Sequence, residues 1–151
     1  MHDSVTVHMN ASPERIWELV SDVTQIGRYS PETFEAEWLD GATGPAVGAR
    51  FRGHVKRNGR GPTYWTTCEV TACEPGKEFA FGVGSPGKPP LNIWRYVLQP
   101  ADGGTNVTES FQLKESNIGL RVYWTLWGWS RGRVNRNGMR TTLERVKAEV
   151  E

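Results

Sequence analysis

Glu109 is the residue of this sequence whose setting most favours chemistry. Period-2 alternation in segment 106–113 places it on the same side of a predicted strand as Val107, Phe111 and Leu113. A carboxylate on an apolar face needs a partner or acquires a raised pKa. Such a group can act as a general acid or base. Two simpler interpretations stay open: Glu109 reaches water at the strand end, or it pairs with an arginine.

Tyr96 and Glu69 are the other candidates for catalysis. Tyr96 shares one side of predicted strand 93–99 with Trp94 and Leu98. Its hydroxyl could hydrogen-bond an enolate oxygen of a substrate. The side on which Glu69 lies is ambiguous, because both sides of strand 64–72 mix apolar and polar residues. The inward residues are either Trp65, Thr67, Glu69 and Thr71, or Thr66, Cys68, Val70 and Ala72.

Aromatic side chains dominate the remaining inward faces. In segment 49–56 the polar residues Arg50, Arg52, His54 and Lys56 must face water. The residues that alternate with them, among them Phe51, therefore face inward. Phe79 and Phe81 share one side of predicted strand 78–83. Many rings with few polar anchors are typical of a pocket for a small molecule.

The elements that position these side chains follow from the period of the apolar pattern. Segment 5–9 alternates as a strand, Ser12 and Pro13 begin a helix, and a second short helix is expected around 21–26. Six further strands are predicted, joined by turn sequences, at 34–39, 49–57, 64–72, 78–83, 93–99 and 106–113. Short turns between successive strands imply an antiparallel sheet.

A long C-terminal helix over about 118–150 completes the expected fold. Met139, Leu143 and Val146 form its apolar stripe. Gly128, Gly132 and Asn135 continue this stripe with small or polar side chains, which would leave room for a cavity; alternatively the helix breaks near Gly128. The predicted class is α+β, a curved seven-stranded antiparallel sheet around a long helix.

Composition excludes several classes of function. The chain has 151 residues, enough for one domain with a core, and its Lys+Arg 18 and Asp+Glu 17 give a net charge of +1. This balance provides no field for holding nucleic acid. Residues 82–87 match G-x-G-x-x-G, but the prolines at 89–90 cannot begin the helix of a dinucleotide site. We therefore expect a hairpin loop there, no nucleic acid partner and no nucleotide cofactor.

Neither a metal site nor a secreted scaffold is expected. The three histidines, His2, His8 and His54, are far apart in the sequence. Cys68 and Cys73, five residues apart on one predicted strand, should point to opposite faces and form no disulfide. The N-terminus lacks signal-peptide features, and no apolar run approaches the ~20 residues of a membrane-spanning helix. We expect a cytoplasmic protein without stable membrane insertion.

Two surfaces could contact a protein or membrane partner. Arg133, Arg136 and Arg140 fall within about 60° of one another on a helix, although a solvated helix face is the simpler interpretation. Segment 122–129, which contains Trp124, is the most apolar in the chain. It could cover a cavity, touch a membrane, or pack the helix start on the sheet.

The order of short motifs resembles one known family, the START-like superfamily (SRPBCC), in its polyketide cyclase/dehydrase and lipid transport branch. The resemblance covers nearly the whole chain. It rests on ASPERIWELVSD at 11–22, IGRYSPE at 26–32, VGARF at 47–51, EPG at 74–76, FAF at 79–81, WRY at 94–96, GGT at 103–105, TES at 108–110 and MRTTLERVK at 139–147.

The resemblance implies a helix-grip fold with an internal pocket for lipids, polyketides or similar molecules. By similarity to the aromatase/cyclase members, Trp65, Thr67 and Glu69 would line this pocket, as would Trp94. Those members hold an arginine inside the pocket, whereas the arginines of segment 49–56 alternate outward here. The inward positions offer Glu69 and Glu109 instead, which counts against cyclase chemistry.

Our preferred hypothesis is that residues 1–151 form one START-like domain that binds or carries a small hydrophobic ligand. The first alternative is a cyclase or dehydratase that uses an inward carboxylate without metal or nucleotide cofactor. The second is a protein-interaction module of the toxin–antitoxin kind. The predicted ligand contacts are Phe51, Trp65, Thr67, Glu69, Phe79, Phe81, Trp94, Tyr96, Glu109, Phe111, Trp124, Asn135 and Met139.

Overall fold

The computed structural model describes residues 2–56, 62–84, 89–113 and 136–151. Two helical segments follow the first strand, and a longer helix ends the chain. The elements are β1 (His2–Met9), α1 (Pro13–Val20), a 3₁₀ helix (Val23–Arg28), β2 (Thr33–Trp38), β3 (Arg50–Val55), β4 (Tyr64–Glu74), β5 (Glu78–Val83), β6 (Asn92–Ala101), β7 (Gly104–Leu113) and α2 (136–150).

All seven strands join one antiparallel sheet in the order β1-β7-β6-β5-β4-β3-β2. Strands β2 to β7 therefore form a meander, and β1 pairs with β7 at the far edge. The apolar stripe of α2 (Met139, Leu143, Val146 and Val150) is buried in the same core cluster as the inward side chains of the sheet. This is the α+β helix-grip fold that the sequence predicts.

The start of α1 explains an irregularity in its capping sequence. The Ser12 side chain accepts a hydrogen bond from the backbone N–H of Arg15 at 3.2 Å, as an N-cap does. A glutamate is favoured at position 15 in a capping box. Arg15 instead donates from its guanidinium Nε to the backbone carbonyl of Val150 at 2.8 Å, which links α1 to the end of α2.

One glycine is required by a close approach of backbones. A Cβ atom at Gly27 would lie 2.2 Å from the carbonyl oxygen of Phe34. Any larger residue would therefore push the 3₁₀ helix away from β2. This contact fixes the segment 30–33, which later forms one wall of the site.

A bulge in β4 changes the expected faces of its second half. The register shifts between Val70 and Ala72, so that Cys73 pairs with the inward-facing Phe79. Cys73 consequently packs against the core that also contains Cys68, and both thiols are free. The expectation that the two cysteines point to opposite faces was wrong, because the extra residue of a bulge reverses strand alternation.

Three sequence predictions lie outside the described residues. They are the helix before residue 136 with its glycines at 128 and 132, the aromatic segment 122–129, and part of the glycine-rich loop at 82–87. The described ends of that loop join β5 directly to β6, which is the hairpin connection expected from the prolines.

Candidate functional site

A cavity of about 520 Å³ lies between the inward face of the sheet, the segment 30–33 and α2. The phenylalanine and tryptophan side chains that line it come from four different strands, β3, β5, β6 and β7: Phe51, Phe81, Trp94 and Phe111. They contact one another in pairs. The ring centroids of Phe51 and Phe81 are 5.1 Å apart, and those of Trp94 and Phe111 are 4.8 Å apart. These rings face inward because the strands alternate strictly where they border the cavity.

Tyr96 and Glu109 form the floor of the cavity. They are direct cross-strand partners on β6 and β7, and their exposed fractions are 5% and 4%. The next inward residues, Leu98 and Val107, are buried in the core and do not line the cavity. A buried polar pair thus closes the inner end of a space that has aromatic side chains along its sheet side.

The Glu109 carboxyl is held largely in its neutral form near pH 7. Burial raises its pKa from 4.5 to about 8, and the hydrogen bond from the Tyr96 hydroxyl lowers the pKa only in part. Its Oε1 has no hydrogen-bond partner among the described residues. A neutral carboxyl group both donates and accepts hydrogen bonds. Glu109 can therefore bond a ligand oxygen, or give it a proton.

Tyr29 adds a second tyrosine to this polar cluster. It is 1% exposed, and burial raises its pKa, with a further rise caused by the charge of Glu109. Burial likewise raises the pKa of Tyr96, and Glu109 and Tyr29 add to the rise. Both hydroxyls therefore stay protonated. Tyr29 could not be recognised from the sequence, because nothing in its local pattern indicates that the segment after the 3₁₀ helix reaches the floor of the cavity.

Asn92, which lies on β6 like Tyr96, is at the end of the cavity opposite to the floor. Its side chain lines the cavity, and its Oδ1 is buried without a hydrogen-bond partner among the described residues. Leu91 and Tyr64, which also line the cavity, are 45% and 44% exposed, so this is the outer end of the space. Asn92 was missed because an asparagine at the start of a strand usually indicates a turn.

The helix side of the cavity is formed by Gly138, Met139 and Thr142. Met139 is 1% exposed, and its placement agrees with the predicted stripe. The Thr142 hydroxyl donates to the backbone carbonyl of Gly138 at 2.9 Å, so its proton is already used. On the sheet side Thr66 and Cys68 line the cavity, and burial raises the pKa of the Cys68 thiol to about 12.

The inferred placement of Trp65, Thr67 and Glu69 in the pocket was wrong. The register between β3 and β4 pairs Cys68 with the inward Phe51, so Glu69 is exposed on the opposite face. There Trp65 stacks on the imidazole ring of His54, with centroids 4.2 Å apart. The guanidinium of Arg52 lies 4.1 Å from the Trp65 ring centroid. Side chains on this outer face cannot contact a ligand in the cavity.

Phe79 points inward as predicted but lies outside the cavity wall. It is 1% exposed and packs edge-on against Trp17 at a centroid distance of 6.0 Å, in the solid core next to the floor. Trp124 and Asn135, the remaining predicted contacts, lie outside the described residues. The roles of Phe51, Phe81, Trp94, Tyr96, Glu109, Phe111 and Met139 in binding stay predictions.

The described lining residues contain no lysine, arginine or histidine. Within the described ranges, no group of three or more His, Cys, Asp or Glu side chains could hold a metal ion. None of the helices in those ranges is both long and apolar enough to cross a membrane.

A family model described as polyketide cyclase / dehydrase and lipid transport matches residues 2–151. The chain belongs to this family. The resemblance inferred from the short motifs is thereby confirmed, and so is the fold. Membership does not specify a ligand or a reaction, because one fold hosts many functions.

Solved structures of bacterial proteins share this fold over nearly their whole length. A protein of Thermus thermophilus aligns with a TM-score of 0.72 at 14% identity, covering 99% of this chain and 97% of that one. One from Nitrosomonas europaea gives 0.70 at 14% identity, covering 98% and 92%. A polyketide-cyclase-like protein of Corynebacterium glutamicum is 26% identical with a TM-score of 0.58, covering 97% and 90%. No curated protein matches the sequence.

Proposed function

We propose that this family member binds a small, mainly apolar molecule in the cavity between the sheet and α2. Its volume of about 520 Å³ falls within the range of about 300–1,000 Å³ typical of small-molecule sites. The aromatic walls supply apolar area and stacking surface, and the Tyr96–Glu109 floor supplies orientation.

The observation that carries the proposal is that the buried Oε1 of Glu109 has no hydrogen-bond partner among the described residues. A carboxyl group that is 4% exposed costs free energy when one oxygen lacks a partner, and such groups are rare in native proteins. Replacing Glu109 by an apolar residue would remove this cost. A ligand that bonds Oε1 removes it as well, and it explains why a polar group stands at the end of an aromatic cavity.

The test combines two measurements on purified protein. Native mass spectrometry detects any molecule that co-purifies, and tryptophan fluorescence follows titration with a panel of lipids, sterols and aromatic polyketides. We expect at least one compound to bind in a one-to-one ratio with micromolar or better affinity. Absence of binding across the panel, together with mass spectra of protein without any bound molecule, would contradict the proposal.

A second candidate function is cyclase or dehydratase chemistry at the same floor. It is favoured by one specific arrangement, a largely neutral carboxyl group hydrogen-bonded to a tyrosine at the inner end of the cavity. Glu109 would serve as general acid, and the Tyr96 hydroxyl, once released from Glu109, would donate to an enolate oxygen of the substrate. Turnover of a polyketide substrate tests this assignment. Glu109→Gln should abolish turnover, and the outward control Glu69→Gln should preserve it. If Glu109→Gln converted the substrate as fast as the parent protein, the catalytic role of Glu109 would be refuted.

The protein-interaction alternative depends on the aromatic segment 122–129 or on the arginine face of the last helix, and the aromatic segment lies outside the described residues. Arg136, a member of the predicted basic face, is paired with Asp3 at 3.0 Å. Nothing in the described ranges favours this alternative over ligand binding.

A further inference from the structure

We infer that the ligand is elongated and carries a hydroxyl group at each end, one bonded to Glu109 at the floor and the other to Asn92 at the outer end. This inference rests on the proposed binding function. It assigns a chemical class to the ligand of that same cavity.

The distance between the two anchors follows from strand geometry. Asn92 and Tyr96 lie four residues apart on the same face of β6, and Tyr96 pairs directly with Glu109. At about 3.3 Å per residue, the two positions are separated by about 13 Å along the strand. Over this length, a cavity volume of about 520 Å³ corresponds to a mean cross-section of about 40 Å². Such a space suits a long, narrow molecule.

Between the anchors, the wall formed by β6 and β7 is aromatic. Trp94 and Phe111 are cross-strand partners at the midpoint, and Phe81 pairs with Trp94 from the other side. The Thr66 hydroxyl on β4 is engaged with the carbonyl of Gly53 at 3.4 Å. The wall formed by β5, β6 and β7 therefore favours an apolar, ring-containing centre of the molecule.

The two anchors share one hydrogen-bonding character. Asn92 Oδ1 and Glu109 Oε1 are both buried, and neither has a hydrogen-bond partner among the described residues. An amide and a neutral carboxyl group can each donate and accept, as can a hydroxyl group. A carboxylate or phosphate on the ligand fits poorly, because the described lining offers no lysine, arginine or histidine as a counter-charge.

A set of three stilbene probes tests this arrangement. They are trans-stilbene, its derivative with one para-hydroxyl, and its derivative with a para-hydroxyl on both rings, whose oxygens lie at the two ends of a rigid rod. Each lost hydroxyl should weaken binding about two- to tenfold, in line with a hydrogen-bond contribution of about 0.5–1.5 kcal/mol. Fluorescence titration and calorimetry give the affinities.

Two variants locate the anchors. Asn92→Ala should remove the advantage of one hydroxyl, so that the double and single derivatives bind alike. Gln112→Ala, an exposed amide on the outward face of β7, is the matched control and should leave the order of affinities unchanged. Glu109→Leu should remove the advantage of the other hydroxyl, and thermal unfolding checks that each variant is folded.

The outcomes separate this inference from the proposed function. Equal affinity of all three stilbenes, or an unchanged ranking in Asn92→Ala, overturns the two-anchor inference while the binding function stands. The same holds if the double derivative fails to bind but another compound of the panel binds. If no compound binds at all, the binding function fails first and the inference fails with it.

Discussion

Tyr96 and Glu109 face each other across the β6–β7 pair, as direct cross-strand partners at the buried inner end of the cavity. On the other side of Glu109, its partner on β1 is Val5, which is 7% exposed. A hydrogen bond from the Tyr96 hydroxyl lowers the pKa of Glu109, whereas burial among apolar side chains raises it. Burial dominates, and the pKa of Glu109 rises to about 8.

The first prediction concerns the pH dependence of stability. The pKa of Glu109 is about 8 in the folded protein and about 4.5 when it is exposed, so the folded state binds more protons between these values. The stability that depends on the neutral carboxyl is thus complete below about pH 4.5 and is lost as the pH rises to about 8. The free energy of unfolding should fall by up to about 1.4 kcal/mol per pH unit from this group.

Urea unfolding of Glu109→Gln and of the parent protein between pH 5 and pH 9 measures this effect. The variant cannot ionise at this position, so its stability relative to the parent should increase with pH up to about 8 and then level off. Glu69→Gln, on the exposed outer face, is the matched control and should show a difference that is much smaller and nearly flat. A constant difference for Glu109→Gln as well would mean that the carboxyl group is ionised throughout.

The second prediction uses two tryptophans on opposite faces of the sheet. Trp94 lines the cavity, whereas Trp65 stacks on His54 outside it. Trp94→Ala should weaken binding of an aromatic ligand about tenfold or more, because a stacking partner and part of the cavity wall are lost. Trp65→Ala should leave affinity unchanged. Fluorescence or calorimetric titration compares them, and a comparable loss in both variants would place the ligand elsewhere.

The faces of the strands were predictable wherever a charged set alternated with an apolar set. β3 is such a case: Arg50 and Arg52 form ion pairs on the outer face, where His54 also contacts Glu35, and Phe51 points inward. In β4 the pattern is ambiguous, because both of its faces carry threonines and apolar residues. The inward face of β4 is set by its hydrogen-bond register with β3, and this register cannot be predicted from the sequence of β4 alone.

The candidate site was predictable in part for a related reason. Glu109 stood out because it interrupts an apolar face, and the structure places it at the floor of the cavity. Tyr29 and Asn92 did not stand out, since their importance comes from a three-dimensional meeting of distant segments. Phe79 pointed the right way, but sequence alternation cannot tell a cavity wall from the solid core beside it.

The third prediction concerns the two free thiols. Cys68 is 4% exposed and burial raises its pKa to about 12, whereas Cys73 is only partly buried, with a smaller rise. Because the thiolate is the reactive form, Cys68 should stay unlabelled by a thiol reagent at pH 8 until the protein unfolds. Cys73 should react first. Labelling followed by peptide mass spectrometry distinguishes the sites, with Cys73→Ser as the control that should abolish the early reaction. Early labelling at Cys68 would mean that its thiolate forms near pH 8 in spite of burial.

The fourth prediction concerns the link between α1 and the end of α2. The Arg15 guanidinium donates to the backbone carbonyls of Val150 at 2.8 Å and Glu149 at 3.4 Å, which the helix itself leaves unpaired. Arg28 forms an exposed ion pair with the side chain of Glu149 at 2.5 Å. Arg15→Ala should lower the free energy of unfolding by about 1 kcal/mol, and Arg28→Ala by less than about 0.5 kcal/mol.

Salt separates the two contributions, because their acceptors differ. The Arg28 contact joins two exposed charges, so about 1 M NaCl should remove most of its effect. The Arg15 bonds end on neutral carbonyl oxygens at the helix terminus, and their effect should persist in salt. Urea unfolding of both variants at low and high salt gives the comparison. If Arg15→Ala became as stable as the parent protein in salt, Arg15 would act as a general surface charge and not as a hydrogen-bond donor to the end of α2.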